Sequence, residues 1–165
     1  MNRYTENAKR LLLENDSALV YCNENEVNTS DIRGVLRLVL MVKEQRTMKG
    51  FYCADKVVGK AAAFMYAILK PEELYAFVLS EKAEQVLIKY KVNYFFGERV
   101  PAIINRKGDG FCPMETATEK AESPEEALEL LKEKLNLSDE PSKAEWVEAP
   151  NLKECKPISE INTVY

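Results

Sequence analysis

Apolar positions along this chain switch between helical and extended spacing several times. Tyr4, Ala8, Leu11 and Leu12 recur at three- and four-residue intervals, which predicts an amphipathic helix ending near residues 14–16. Residues 17–22 (SALVYC) then read as a strand, and the polar stretch 23–30 as a turn with a short return strand. Residues 34–44 (GVLRLVLMVKE) are apolar almost all round, so that helix should be buried. A second strand is expected over 47–53, followed at once by a helix from about Asp55 to Leu69 that stops before Pro71. Gly59, Ala63 and Ala67 fall four apart along it and would let its backbone lie close against a sheet.

The alternation continues to residue 135. A third strand covers 74–79, and Ser80 can cap a helix whose Ala83, Val86, Leu87 and Tyr90 form one apolar face. A fourth strand is expected over 92–96 and a short fifth within 98–105, after which Gly108 and Gly110 turn the chain into a helix beginning at Pro113. Ser123-Pro124-Glu125-Glu126 combines an N-cap serine, proline at the first helical position and a glutamate for a capping box. This order predicts an α/β fold, a three-layer α/β/α sandwich over residues 1–136 with a mixed, mostly parallel sheet covered on both faces. Residues 137–165 contain Pro141, Pro150 and Pro157 and are acidic. They read as a weakly ordered C-terminal tail in which Trp146 and Val147 could dock on the domain.

Composition narrows the chemistry. With 165 residues, 46% hydrophobic and 30% charged, the chain fits one domain with a real core. A formal charge of -4 gives no electrostatic footprint for nucleic acid or an anionic membrane. The longest apolar run, 61–69, is too short to span a bilayer, and residues 1–7 lack the apolar core of a secretory signal. The expectation is a soluble cytoplasmic protein without nucleic-acid or membrane partners, with a homodimer surface left open. Histidine is absent, which removes Ser-His and Cys-His triads, histidine general bases and the usual zinc enzymes. Carboxylates, lysines and thiols remain. Cys22, Cys53, Cys112 and Cys155 form no CxxC pair, so they are read as free thiols.

Two stretches carry candidate chemistry: residues 53–63 (CADKVVGKAAA) and 110–116 (GFCPMET), both read as helix starts beyond strand ends, where open α/β sheets bind ligands. In the first, Asp55 is expected as the N-cap, with Lys56 and Lys60 in the first two turns. Cations there oppose the helix dipole, each by about 0.3–1 kcal/mol, and make sense if an anion binds them. The competing reading leaves both lysines solvated, with Asp55 as a cap and Gly59 as a packing residue. In the second, Cys112 precedes Pro113 at an N-cap, where a thiol can be activated, cap the helix or be buried. Glu115 could reach back to helix-start N–H groups or bind a donor on a ligand. Asn105, Arg106 and Lys107 form the approach loop, Met114 belongs to the same motif, and Cys53 is a second thiol candidate that would have to face the same crevice as Cys112. The Arg33-Gly34 pair is a weaker anion candidate.

At these residues the chain resembles an uncharacterised bacterial and archaeal domain family that shares an ADKVVGKA-type stretch and an INR-x-G-x-G-x-CPME-type stretch. Asp55, Lys56, Val57, Gly59 and Lys60 match the first, and Asn105, Arg106, Gly110, Cys112, Pro113, Met114 and Glu115 the second, over about residues 17–135. The resemblance implies a cytidine-deaminase-like fold. Zinc deaminases carry a His/Cys-x-Glu element and a Pro-Cys-x-x-Cys element at two helix starts. Here no histidine is present, and Glu115 stands where the second cysteine belongs, so no metal site is expected. Residues 55–59 are also similar to a segment of the formate dehydrogenase accessory sulfurtransferases, whose Arg-His-Asn lead-in is missing here.

The leading expectation is therefore a non-zinc deaminase-like domain binding a nucleotide or another anionic small molecule through Asp55, Lys56, Gly59, Lys60, Asn105, Arg106, Cys112, Met114 and Glu115. The alternatives are a cysteine-dependent thiol or sulfur-transfer enzyme using Cys112 or Cys53 with Glu115, and a protein-interaction module using the tail. The sequence specifies no cofactor.

Overall fold

Asn2 opens the first helix, α1 (Arg3–Glu14), by accepting the Tyr4 backbone N–H at 3.0 Å through its side chain. The computed structural model describes residues 1–138; the expectations for Trp146, Val147 and Cys155 lie outside them. After α1 come β1 (Leu19–Cys22), β2 (Val27–Ser30), α2 (Leu36–Lys43), β3 (Tyr52–Val58), α3 (Lys60–Leu69), β4 (Glu73–Ser80), α4 (Glu81–Lys89), β5 (Tyr94–Val100), α5 (Pro113–Ala117) and α6 (Pro124–Lys134).

The five strands form one mixed sheet in the order β2-β1-β3-β4-β5. β3, β4 and β5 run parallel, while β1 pairs antiparallel with both β2 and β3. Side chains alternate across the sheet. Val20, Cys22, Ala54 and Tyr75 meet Ala8, Leu11 and Leu12 of α1 on one face. Leu19, Tyr21, Cys53, Leu74 and Ala76 face the main core, built with α2, α3, α4 and α6. Helix α3 lies at its centre, with Phe64, Met65 and Tyr66 buried. Each such side chain stabilises by roughly 1.5–3 kcal/mol. Among the described residues no helix is long and apolar enough to cross a membrane.

Several boundaries depart from the sequence reading. Residues 47–51 form a turn, with Gly50 at φ +81° and Phe51 N–H bonded to Met48 O, so β3 starts five residues later than expected and runs through Asp55 and Lys56. A parallel strand flanked on both sides extends as far as its neighbour pairs with it, and β4 carries β3 on to Val58. Helix α2 buries Leu38, Val39 and Met41 and half-buries Leu36, Leu40 and Val42, so it is amphipathic where an all-round buried helix was expected. β5 continues to Val100, and the expected fifth strand over 98–105 reduces to one bridge between Ile104 and Phe111. Gly34 adopts φ +76° with open space where a Cβ would sit, so the turn requires it and no close neighbour does.

Five helices end on a residue in the left-handed region, and none of the five is glycine: Asp16, Gln45, Lys70, Lys91 and Asn136. After α2, Gln45 N–H bonds to Val42 O and Arg46 N–H to Met41 O, both at 3.0 Å, the pair of bonds that defines a Schellman ending.

Candidate functional site

Helix α3 begins where β3 ends, and its N-cap is Gly59, which has no side chain to satisfy the first free N–H groups. Glu115 of α5 does this from outside: its carboxylate Oε1 accepts the Lys60 backbone N–H. The close approach requires glycine. A Cβ at position 59 would overlap that carboxylate, with Glu115 Cδ at 3.0 Å and Ile103 Cγ1 at 3.2 Å. Burial pushes the Glu115 carboxyl up, opposed by the Lys60 N–H and by the charges of Lys82 and Lys60.

Lys60 is the first helical residue. Its Nζ donates to Glu119 O at 2.7 Å and lies 5.6 Å from the centre of the Phe64 ring. Burial lowers the pKa of this ammonium, and repulsion from Lys82 adds to the effect, against Glu115, Glu119 and Glu122. Lys60, Phe64, Lys82, Val86, Lys89 and Glu122 line a groove of about 440 Å³ between α3 and α4. Lys89 Nζ donates to Glu122 O at 3.1 Å, and Lys82 Nζ is 3.8 Å from the Glu119 carboxylate. The groove therefore presents three ammonium groups beside an aromatic ring, Lys60 and Lys82 in the first turns of α3 and α4 and Lys89 at the end of α4, a set suited to holding an anion.

Asp55 and Lys56 lie elsewhere. Because β3 runs on to Val58, Asp55 is a strand residue and not an N-cap. It accepts the Tyr66 hydroxyl at 2.6 Å and the Val57 N–H at 3.1 Å. Burial pushes its pKa up to about 6, and those two hydrogen bonds act in the opposite direction. Lys56, also in β3, bonds to the carboxylate and carbonyl of Asp16 and takes no part in the start of α3. Of the two lysines expected at this helix start, Lys60 is there, and its charge is countered by Glu115.

The second motif is divided as well. Asn105 holds its own loop, donating to Asp109 at 2.8 Å and receiving the Gly108 N–H through its carbonyl at 3.0 Å, while Arg106 is exposed on that turn. Met114 packs against the main core. Cys112 is the half-buried N-cap of α5, with no hydrogen bond from its side chain to the helix. Cys53 is fully buried, 3.6 Å from Met48 Sδ, and burial pushes its thiol well up, with Asp55 and Cys22 adding to this. It sits near the opposite end of β3 from α3, about 16 Å of strand before Val58, so it does not share a crevice with Cys112. Among the described residues, no three of Cys, Asp and Glu are placed to hold a metal ion.

Sequence reasoning missed Lys82, Lys89 and Phe64. A signal existed: Lys82 and Lys89 are seven apart, two helical turns, and so share one face of α4, as Lys60 and Phe64 share one of α3.

A family model described as a domain of unknown function (DUF1893) matches residues 7–135. Among solved structures, a DUF1893 family protein from Thermotoga maritima superposes with a TM-score of 0.75 at 25% identity, covering 81% of this chain and 91% of that one. No curated protein matches the chain.

Proposed function

We propose that this chain, which belongs to the DUF1893 family, is a non-zinc, cytidine-deaminase-like three-layer domain that binds a nucleotide or another anionic small molecule in the lysine groove between α3 and α4. The observation that carries this reading is the convergence of Lys60, Lys82 and Lys89 on one groove with the Phe64 ring in its wall. Its volume, about 440 Å³, lies within the roughly 300–1,000 Å³ typical of small-molecule sites.

The deaminase-like part is supported by helices on both faces of the sheet and by the direct bond between the starts of α3 and α5 through Glu115 and Lys60. Zinc deaminases use two such helix starts to hold a metal and a proton-shuttling glutamate. Here Glu115 caps α3 and Asp55 is bonded to Tyr66, so these residues do not fit a zinc site. The proposed role is binding, with ammonium groups facing the ligand's negative oxygens and Phe64 beside its body.

Titration calorimetry with adenosine and guanosine monophosphates tests this. Lys60→Gln with Lys82→Gln should weaken binding by about tenfold or more, while Lys56→Gln, on a side chain held by Asp16, should leave it unchanged. Nucleotide binding at full affinity in the double variant overturns the reading.

A second reading, thiol chemistry, rests on Cys112, which is half-buried where Cys22 and Cys53 are buried. At one fixed pH its rate of reaction with iodoacetamide should then exceed that of the same thiol in the urea-unfolded chain; an equal or slower rate in the folded protein would dispose of it.

A further inference from the structure

At the amino end of the parallel strands, opposite the lysine groove, the β1–β2 hairpin, α2 and the turn before β3 surround an open cavity of about 410 Å³. Its walls include Tyr21, Glu26, Arg37, Met41, Arg46 and Phe51. Tyr21 and Phe51 meet edge to face at 5.4 Å and form an aromatic wall.

The two arginines are held by different devices. Arg37 is in the first turn of α2, half-buried, with its guanidinium at the Tyr21 hydroxyl. Arg46 follows the Schellman ending of α2, so its backbone is fixed. Its Nε lies 3.5 Å from Glu44, whose side chain is only 10% exposed. Burial lowers the Arg37 pKa and the Arg46 charge lowers it further, while Tyr21 and Glu44 oppose this. Burial raises Tyr21, and both arginines pull it back. Two like charges on one cavity, one of them partly withdrawn from water, repel each other less once an oxyanion sits between them. Glu44, itself not in the lining, holds Arg46 from behind, and Glu26 stands on the hairpin side, where a hydroxyl or amine of a ligand could donate to it.

We propose that this cavity is a second binding site, for a small organic anion whose phosphate or carboxylate lies between Arg37 and Arg46 and whose ring or apolar body rests against Tyr21 and Phe51. Guanidinium groups suit this chemistry because their planar donor fork matches both oxyanions. The site shares no lining residue with the lysine groove, so each can fail without the other.

The test uses the full chain at constant ionic strength, titrated with phenyl phosphate, benzoate, inorganic phosphate and neutral benzyl alcohol, and followed by amide NMR and melting temperature. Phenyl phosphate or benzoate should bind saturably and shift the amides of residues 21, 37, 46 and 51, and benzyl alcohol should not. Arg46→Gln, at an exposed position that should fold normally, and Arg37→Gln should each weaken binding by about tenfold or more, while Lys60→Gln should not affect it. Which of the two aromatic anions saturates first assigns the oxyanion. Binding of inorganic phosphate as tight as that of phenyl phosphate would overturn the aromatic half of the proposal. Absence of saturable binding by either aromatic anion, or binding that survives both arginine substitutions, overturns the whole.

Discussion

The two ends of the sheet hold positive charge in different ways. At the carboxyl end, three lysines reach over a groove from helix faces, and two of their ammonium groups are steadied by the backbone carbonyls of Glu119 and Glu122. At the amino end, two arginines occupy positions fixed by a helix start and a helix-ending turn beside paired aromatic rings. Flexible ammonium groups accept an anion in many orientations, whereas guanidinium groups on a fixed backbone impose one plane. The carboxyl end is therefore suited to a multiply charged, variable ligand, and the amino end to one small oxyanion held in a single orientation.

The strongest way to break this comparison is to damage one end alone. Gly59→Ala forces a methyl into the Glu115 carboxylate and should destabilise the protein by about 2–3 kcal/mol in urea unfolding. Adding Glu115→Ala should make the pair cost less than the sum of the single changes. In folded Gly59→Ala protein, nucleotide binding should weaken while anion binding at Arg37 and Arg46 persists; parallel loss at both ends would show that they are coupled.

A smaller effect comes from the core between the two ends. Asp55 is raised from 3.8 to about 6 in the folded state. The native protein thus holds this proton more tightly than the unfolded chain. The resulting stabilisation is complete below about pH 3.8 and is lost as pH rises through about 6. Asp55 keeps a partial opening to solvent, so the loss should be about 1–3 kcal/mol. Asp55→Asn retains an acceptor for Tyr66 and should flatten stability between pH 4 and pH 7. Denaturant midpoints across that range check it, and an unchanged slope would place the proton elsewhere.

The smallest effect sharpens the comparison by leaving both ends alone. Lys56→Ala removes an ion pair with Asp16, whose side chain is 62% exposed, and should cost less than about 1 kcal/mol. Ligand affinity should be unchanged at either end.

Strand and helix order was legible because apolar spacing reports burial directly: Ser80 and Ser123 cap α4 and α6 as their motifs require. The end of β3 was not, since Asp55 looks like an N-cap until the register with β4 is known, and that register is a long-range fact. The same gap moved Lys56 out of the site. Gly59 was read as a packing residue inside the helix where it is the N-cap, and Glu115 as reaching back toward its own helix start, because nothing local says that a glutamate on one helix caps another 55 residues earlier. Arg37 and Arg46 were missed because one lies in an apolar helix and the other in a turn, and only folding brings them to one cavity. Each is unremarkable in its own segment.

The left-handed helix endings have a consequence for how far this fold can be pushed. A non-glycine residue in that conformation is strained by about 1–2 kcal/mol, part of which glycine returns as extra freedom in the unfolded chain. Lys70 and Lys91 are such positions and line neither cavity. Glycine at both offers a route to a hotter-melting version of this protein, a host in which damaging substitutions at either end could be carried without collapse of the fold.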